Sequence, residues 1–289
     1  MGIEVKTGVA HTGVVGIIRG NRPGKGVALR ADMDALPVIE RNDLPYKSNV
    51  ISTFNGNETG VMHACGHDIH VSILMGVAEV LVQNRDFAGT VKLIFQPAEE
   101  GPPAGEEGGA KLMIKEGVLE NPKVDVIFGL YIRSGSHVGK ITYKRGGMLA
   151  ASQRFVINIK GKQAHGSTPW KSVDPIIVGA QIINGLQTLI SRESELTKEG
   201  AVITVGSIHS GIRYNIIPEN LEMVGTIRTL DKDMKELLRR RMNEMVPTIA
   251  KAYQAEATLE IQDGADVTFN HLALTKQMLP TLERVAGES

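Results

Sequence analysis

The hydrophobic pattern changes rhythm once along the chain. From the start to about residue 146, short apolar runs alternate with stretches of helical spacing. VVGII (14–18), GVALRADMD (26–34), TVKLIFQ (90–96) and VDVIFGLYI (124–132) read as strands, the last buried on both faces. Between them, HDIHVSILMGVAEVLVQN (67–84) and GGAKLMIKEGVL (108–119) carry apolar residues at helical spacing. This order predicts an α/β layer with a largely parallel sheet and helices on both faces. Ligands in such a layer collect at the carboxyl ends of the strands.

Beyond residue 150 the pattern is different. RFVINIKG (154–161), AVITVGSIHSG (201–211), NLEMVGTIRTL (220–230) and ATLEIQ (257–262) read as strands. DPIIVGAQIINGLQTLISRE (174–193) and DKDMKELLRRRMNEMVPTIAKAYQA (231–255) read as helices, the second opening on Asp231 as N-cap and carrying Pro247. The order β-α-β-β-α-β is the ferredoxin-like α+β plan. The expected organisation is a first domain of residues 1–149 and 263–289, with a second inserted at 150–262.

Composition narrows the function classes. Lys+Arg and Asp+Glu balance at 32 each, so no field of one sign draws in nucleic acid or an anionic membrane. The first residues lack an apolar signal core and no run reaches eighteen apolar residues, which makes a cytoplasmic location the default expectation. The single cysteine, Cys65, excludes an internal disulfide framework.

That cysteine stands in MHACGHDIH (62–70), with three histidines in nine positions. Thiolate and imidazole at Cys-x-His spacing suit a transition metal, and a helix N-terminus favours the thiolate. A buried cysteine beside polar loop histidines is the plainer alternative. QPAEEG (96–101) adds adjacent carboxylates at a strand end, where one can ligate a metal while the other handles a proton. Alone, that pair is more often a solvated turn. ADMDALP (31–37) adds Asp32 and Asp34 at another strand end, as ligands, as carboxylates that orient imidazoles, or as turn caps. Three such coincidences at strand ends argue for one site.

LRADMDALPV, MHACGHDIH, LIFQPAEEG, GKQAHGSTP and VGTIRTL together resemble the hippurate hydrolase / N-acyl-amino-acid amidohydrolase family of aminoacylase-like metallopeptidases. Auxin-conjugate hydrolases and archaeal carboxypeptidases belong to it too. The resemblance spans essentially the whole chain. It implies a catalytic domain with one or two divalent ions (zinc, manganese, or cobalt or nickel) and a lid domain that mediates homodimerisation. It also implies hydrolysis of the amide between an acyl group and an amino acid, or of small peptides. By resemblance, Cys65, His67 and Glu100 are metal ligands and Glu99 is the general base acting on water. His165 is the lid histidine that reaches the reacting carbonyl, often from a partner subunit. Asn215 and Arg228 hold the substrate carboxylate, a role that suits an arginine fork.

The chain departs from the family pattern in places. Tyr131 stands where a histidine ligand is usual, and a neutral phenol is a poor ligand at pH 7. His137, six residues on, is the nearest substitute and reads as an exposed loop histidine. Trp170 replaces a histidine of the lid motif, which favours a flatter or more apolar acyl group. The family usually has helices before the position of Met1 and a segment beyond Ser289 with one more metal histidine, so a fragment or a short form is expected. Competing with a metal-dependent amidohydrolase are a catalytically impaired relative and, more weakly, a thiol enzyme using Cys65.

Overall fold

The computed structural model describes residues 1–103 and 105–287. The chain separates into two compact units, Met1–His137 and Val138–Ser289.

The first unit is built on a five-stranded sheet. Its strands are β1 (Glu4–Val9), β2 (Gly13–Arg19), β3 (Arg22–Asp32), β6 (Ala88–Gln96) and β7 (Val126–Gly129), in the order β1-β2-β6-β3-β7. β3 lies parallel to both β6 and β7, whereas β2 runs antiparallel to β1 and to β6. The expectation of a largely parallel sheet is therefore corrected to a mixed one. A turn of three residues joins β1 to β2, and so short a connection allows only an antiparallel hairpin. Outside this sheet, β4 (Ile51–Phe54) and β5 (Asn57–Gly60) form a hairpin closed by Asn55 and Gly56. Both have positive φ, +50° and +79°, the signature of a type I′ turn.

Alternate residues of β6 feed the two faces of the sheet. Val91 and Leu93 pack with Leu74 and Ala78 of helix α1 (His67–Gln83). Ile94 packs on the opposite face with Met113 of α2 (Gly109–Lys115) and with Val118. Lys92 is buried on that second face, where its Nζ donates to the carbonyls of Val118 (2.7 Å) and Glu120. It fastens the loop after α2, and burial lowers its pKa.

The second unit carries β9 (Ala151–Lys160), α3 (Pro175–Thr188), β11 (Ala201–Ser210), β13 (Asn220–Thr229), α4 (Lys232–Ala252) and β14 (Glu256–Asp263), a β-α-β-β-α-β order. The sheet order is β11-β13-β9-β14, antiparallel throughout. Phe155, Ile157 and Ile159 are alternate, buried positions of β9 and meet Val178, Ile182 and Leu186, which share one face of α3. Leu238, Met242 and Val246 of α4 complete this core at helical spacing. Gly225 is needed opposite Phe155, because a Cβ there would lie 2.2 Å from the ring's Cζ. Asp174 and Asp231 cap the helices by accepting from Ile176 N and Met234 N, each at 2.9 Å.

Two short strands, β10 (Ala164–His165) and β12 (Ile216–Ile217), pair beside this sheet. β8 (Gly146–Leu149) pairs with β15 (Thr268–Asn270), and α5 (Leu272–Ala286) follows. The sequence assigns 263–289 to the first domain; its last two residues lie outside the described ones, and β15 and α5 fall within the second unit. Among the described residues no helix is long and apolar enough to cross a membrane.

Candidate metal centre

The site of the first unit forms where β3, β6 and β7 end beside the start of α1. Gly66 is the N-cap of α1 in the left-handed region, φ +83°. A Cβ at Gly66 would lie 2.4 Å from Ile132 Cγ2, so glycine satisfies both the conformation and the close approach. His67 opens the helix and is buried. At the end of β6 the chain turns through Ala98, itself at φ +48°, and brings round Glu99 and Glu100. Glu100 N donates to Asp34 Oδ2 at 2.9 Å, which ties this turn to the end of β3.

Cys65, His67 and Glu100 each offer a ligand atom, and these atoms lie within 4.8 Å of one another. A second such group, Asp32, His67 and Glu99, shares the histidine. His67 Nε2 lies 3.7 Å from Asp32 Oδ2 and 3.8 Å from Glu99 Oε2, both too long for hydrogen bonds. His67 Nδ1 is buried with no partner. Asp34 Oδ1 is another buried acceptor without a donor. A buried imidazole nitrogen left unpaired is costly, and the neighbouring thiol and carboxylates are donors that a cation would draw together with it. The donor set therefore fits a divalent metal, and its mixture of S, N and O suits zinc and its neighbours.

The electrostatics agree. Burial raises the pKa of Cys65, and Glu100 and Glu99 beside it hold the proton on sulfur more firmly. At Cys65 burial, then the nearby carboxylates, oppose the thiolate that a helix start would favour, and the first helical residue is His67. The same carboxylates attract a cation, so the thiol-enzyme reading loses support. Burial also raises the pKa of Glu99, reinforced by the charge of Glu100. That places Glu99 closer to the range useful for accepting and returning a proton.

Asp32, His70 and Arg30 form a buried scaffold behind these groups. His70 Nδ1 donates to Asp32 Oδ1 at 2.6 Å, and its Nε2 accepts from Ile132 N at 2.9 Å. Both ring nitrogens are thereby committed, which fixes the tautomer and leaves none for a metal. Arg30 bridges Asp32 Oδ2 (2.7 Å) and Gln96 Oε1 (2.8 Å). Burial opposes ionisation of Asp32, but the bond from His70 and the charge of Arg30 outweigh it and hold the carboxyl below the usual range. Sequence reasoning included Asp32 among its candidates and missed Arg30 and the role of His70. Their signals were available: His70 follows His67 by one helical turn, and Arg30 shares a strand face with Asp32.

Tyr131 lies against this scaffold, its ring 6.0 Å from that of His70. Burial and the surrounding acidic groups raise its pKa, so it is a neutral phenol and a hydrogen-bond donor. His137 is exposed.

The remaining candidates belong to the second unit. His165 is exposed, its Nδ1 2.7 Å from Ser167 Oγ. The β10–β12 pairing brings it beside Asn215, whose carbonyl accepts from Gly166 N at 2.8 Å and whose Oδ1 is buried without a partner. Arg228 is exposed on β13, paired with Ser152 of β9. β12 leads through Pro218 and Glu219 into the start of β13 at Asn220, and Arg228 stands at the other end of that strand. At ~3.3 Å per residue these ends are roughly 26 Å apart. The fold thus joins His165 to Asn215 and separates both from Arg228.

Comparison with known proteins places this geometry in a lineage. A profile of peptidase family M20/M25/M40 matches residues 28–289. The chain belongs to this family. Thermostable carboxypeptidase 2 of Saccharolobus solfataricus is 42% identical over 289 residues, covering 99% of this chain and 70% of its own. Hippurate hydrolase of Campylobacter jejuni is 36% identical over 270 residues, covering 93% of this chain and 67% of its own. Among solved structures, the YXEP protein of Bacillus subtilis, a dinuclear metal-binding peptidase of family M20, superposes with a TM-score of 0.78 at 34% identity. That match covers 98% of this chain and 70% of the other. The hippurate hydrolase-like resemblance is thus borne out, and the M20 member described here is a metal-dependent hydrolase of mixed α/β architecture.

Proposed function

We propose that this chain hydrolyses the amide bond of N-acyl amino acids or small peptides, with Glu99 as its general base. The observation that carries the reading is the convergence of Cys65, His67 and Glu100, with an unpaired buried nitrogen on His67 and Glu99 adjacent. Cys65, His67 and Glu100 would hold one divalent ion, zinc, manganese, or cobalt or nickel. Asp32, His67 and Glu99 would be the donors available to a second ion. A bound ion supplies Lewis-acid polarisation of the scissile carbonyl and makes a nearby water easier to deprotonate.

The protein's own groups do the rest. Glu99 takes a proton from the attacking water and returns it to the departing amine, a task that its raised pKa assists. The Asp32–His70–Arg30 scaffold keeps the ends of β3 and α1 in fixed register behind the ligands. In the second unit, which we read as the lid, His165 stabilises the oxyanion, and Asn215 and Arg228 hold the substrate carboxylate. The exposure of Trp170, in the short turn after His165, supports a preference for a flat or apolar acyl group. The separation of Arg228 from His165 and Asn215 within one chain supports a homodimer in which His165 and Asn215 serve the partner's site.

Amine release from a panel of N-acyl amino acids, with zinc or manganese added and with chelator, tests the reading. We expect chelator-sensitive turnover that disappears in Glu99→Gln while metal binding persists. Turnover unaffected by chelator, or none with any metal, would count against it. Tyr131 in place of the usual histidine favours an impaired relative, and the intact donor cluster weighs against that reading.

A further inference from the structure

The outward face of the sheet in the second unit holds a feature that the reaction described above does not use. Residues of β9 alternate between the helix-covered core and the open face, so Ser152 and Arg154 point outward while Gln153 and Phe155 are buried. On the neighbouring β13, Thr226 stands opposite Arg154 and Arg228 opposite Ser152. Arg154 and Arg228 are therefore diagonal neighbours on one face, about 7–8 Å apart at the backbone and within reach of a common ligand. They line a shallow cavity of ≈ 270 Å³ with Ser152, Thr226, Gln262 and Asp263.

Among the described residues no ion pair compensates the charge here, and neither guanidinium enters one. Asp263 is the carboxylate that lines the cavity, and it is already committed. It accepts from Gln153 Nε2 at 2.7 Å and Arg239 Nη1 at 2.9 Å, and lies 3.3 Å from Lys235 Nζ. These donors hold its pKa down and occupy most of its acceptor sites. Glu260, further along the same face, accepts from Gln262 Nε2 at 2.7 Å. Arg154 has only a long contact, 3.4 Å, to Gln262 Oε1. Ser152 Oγ accepts from Ala265 N at 3.0 Å, which leaves its own hydrogen free to donate. Two like charges on neighbouring positions of a sheet face repel each other, and an anion held between them relieves that repulsion.

We propose that Arg154 and Arg228 together form a dicarboxylate subsite, with Arg154 as a specificity-determining residue selecting substrates whose amino-acid part is acidic. Arg228 takes one carboxylate as a fork, and Arg154 with the Ser152 hydroxyl takes the other. The assignment depends on the proposed hydrolase function only in calling this anion a part of the substrate.

A test free of turnover uses glutarate and its half-amide glutaramate, which have nearly the same shape and neither of which carries an N-acyl amide. Calorimetric or NMR titration of the full chain should show glutarate binding about tenfold more tightly at low salt. Arg154→Gln should abolish that difference, and Arg154→Lys should restore part of it. Equal affinity for the two probes, or a preference that survives Arg154→Gln, would overturn the proposal. Inorganic phosphate binding as tightly as glutarate would overturn the dicarboxylate assignment in favour of a general anion site. If the chain also turns over N-acyl amino acids, N-acyl-glutamate should exceed N-acyl-glutamine in kcat/KM by a similar factor. Absence of turnover would bear on the hydrolase reading alone, because the titrations stand without it.

Discussion

Replacing Asp32 by asparagine separates the scaffold from the ligands it supports. Asp32 is 2% exposed, with one oxygen accepting from His70 Nδ1 at 2.6 Å and the other from Arg30 Nη1 at 2.7 Å. Asparagine fills the same space but keeps only one acceptor. Its amide NH2 would then face either the imidazole N–H or the guanidinium, so one buried donor loses its partner. Losing a hydrogen bond to a charged group costs about 1.5–3 kcal/mol. Removing a buried charge recovers part of this through desolvation, so we expect a net loss of about 1.5–2 kcal/mol at pH 7. Urea unfolding by circular dichroism measures it, with hydrogen exchange on α1 peptides assigning the transition to the first unit. The slope against urea should stay constant.

Acid provides a second check on the same substitution. The folded pKa of Asp32 is depressed, so its ionisation stabilises the protein fully above the unfolded value, about 3.9. That contribution is lost as pH falls through the folded value. The gap between wild type and Asp32→Asn should therefore be complete at pH 7 and shrink below about pH 4. A loss under about 0.5 kcal/mol at pH 7 would refute the reasoning, since it would mean the two bonds contribute no more than a surface contact. So would a gap that widens on acidification.

Other perturbations reach different links. Zinc or manganese at a hundredfold excess over its Kd should stabilise the chain by about 2.7 kcal/mol, and Cys65→Ser should reduce that gain in a thermal-shift titration. Ile182→Ala removes a fully buried side chain of α3 and should cost about 2–5 kcal/mol in the second unit, measured by urea unfolding. Asp231→Ala deletes the N-cap of α4 and should cost about 1 kcal/mol, visible as earlier exchange of the Met234 amide.

Local pattern was sufficient for much of this protein. The 3.6-residue spacing of Val178, Ile182 and Leu186, and the alternation of Phe155, Ile157 and Ile159, specify the elements of the second unit, because each face must be buried as a whole. The motifs likewise single out Cys65, His67, Glu99 and Glu100, because chemistry this unusual for a loop leaves a mark in residue type and spacing. β1 escapes such reading, since its side chains are exposed at all but the last position and carry no periodic signal. Strand direction escapes it too: an apolar run looks alike in a parallel or an antiparallel neighbour, and the short β1–β2 connection is what makes the sheet mixed. The bond between Asp32 and His70 spans 38 positions, from strand to helix, and no local window contains it, whereas Arg30 stands only two positions from Asp32. The pairing of Arg154 with Arg228 rests on strand register, which sets two distant arginines on one face and leaves their charge unopposed. Residue type and spacing name the groups able to do chemistry, while long-range packing decides which of them meet, because a side chain's neighbours in space are set by register and burial far along the chain.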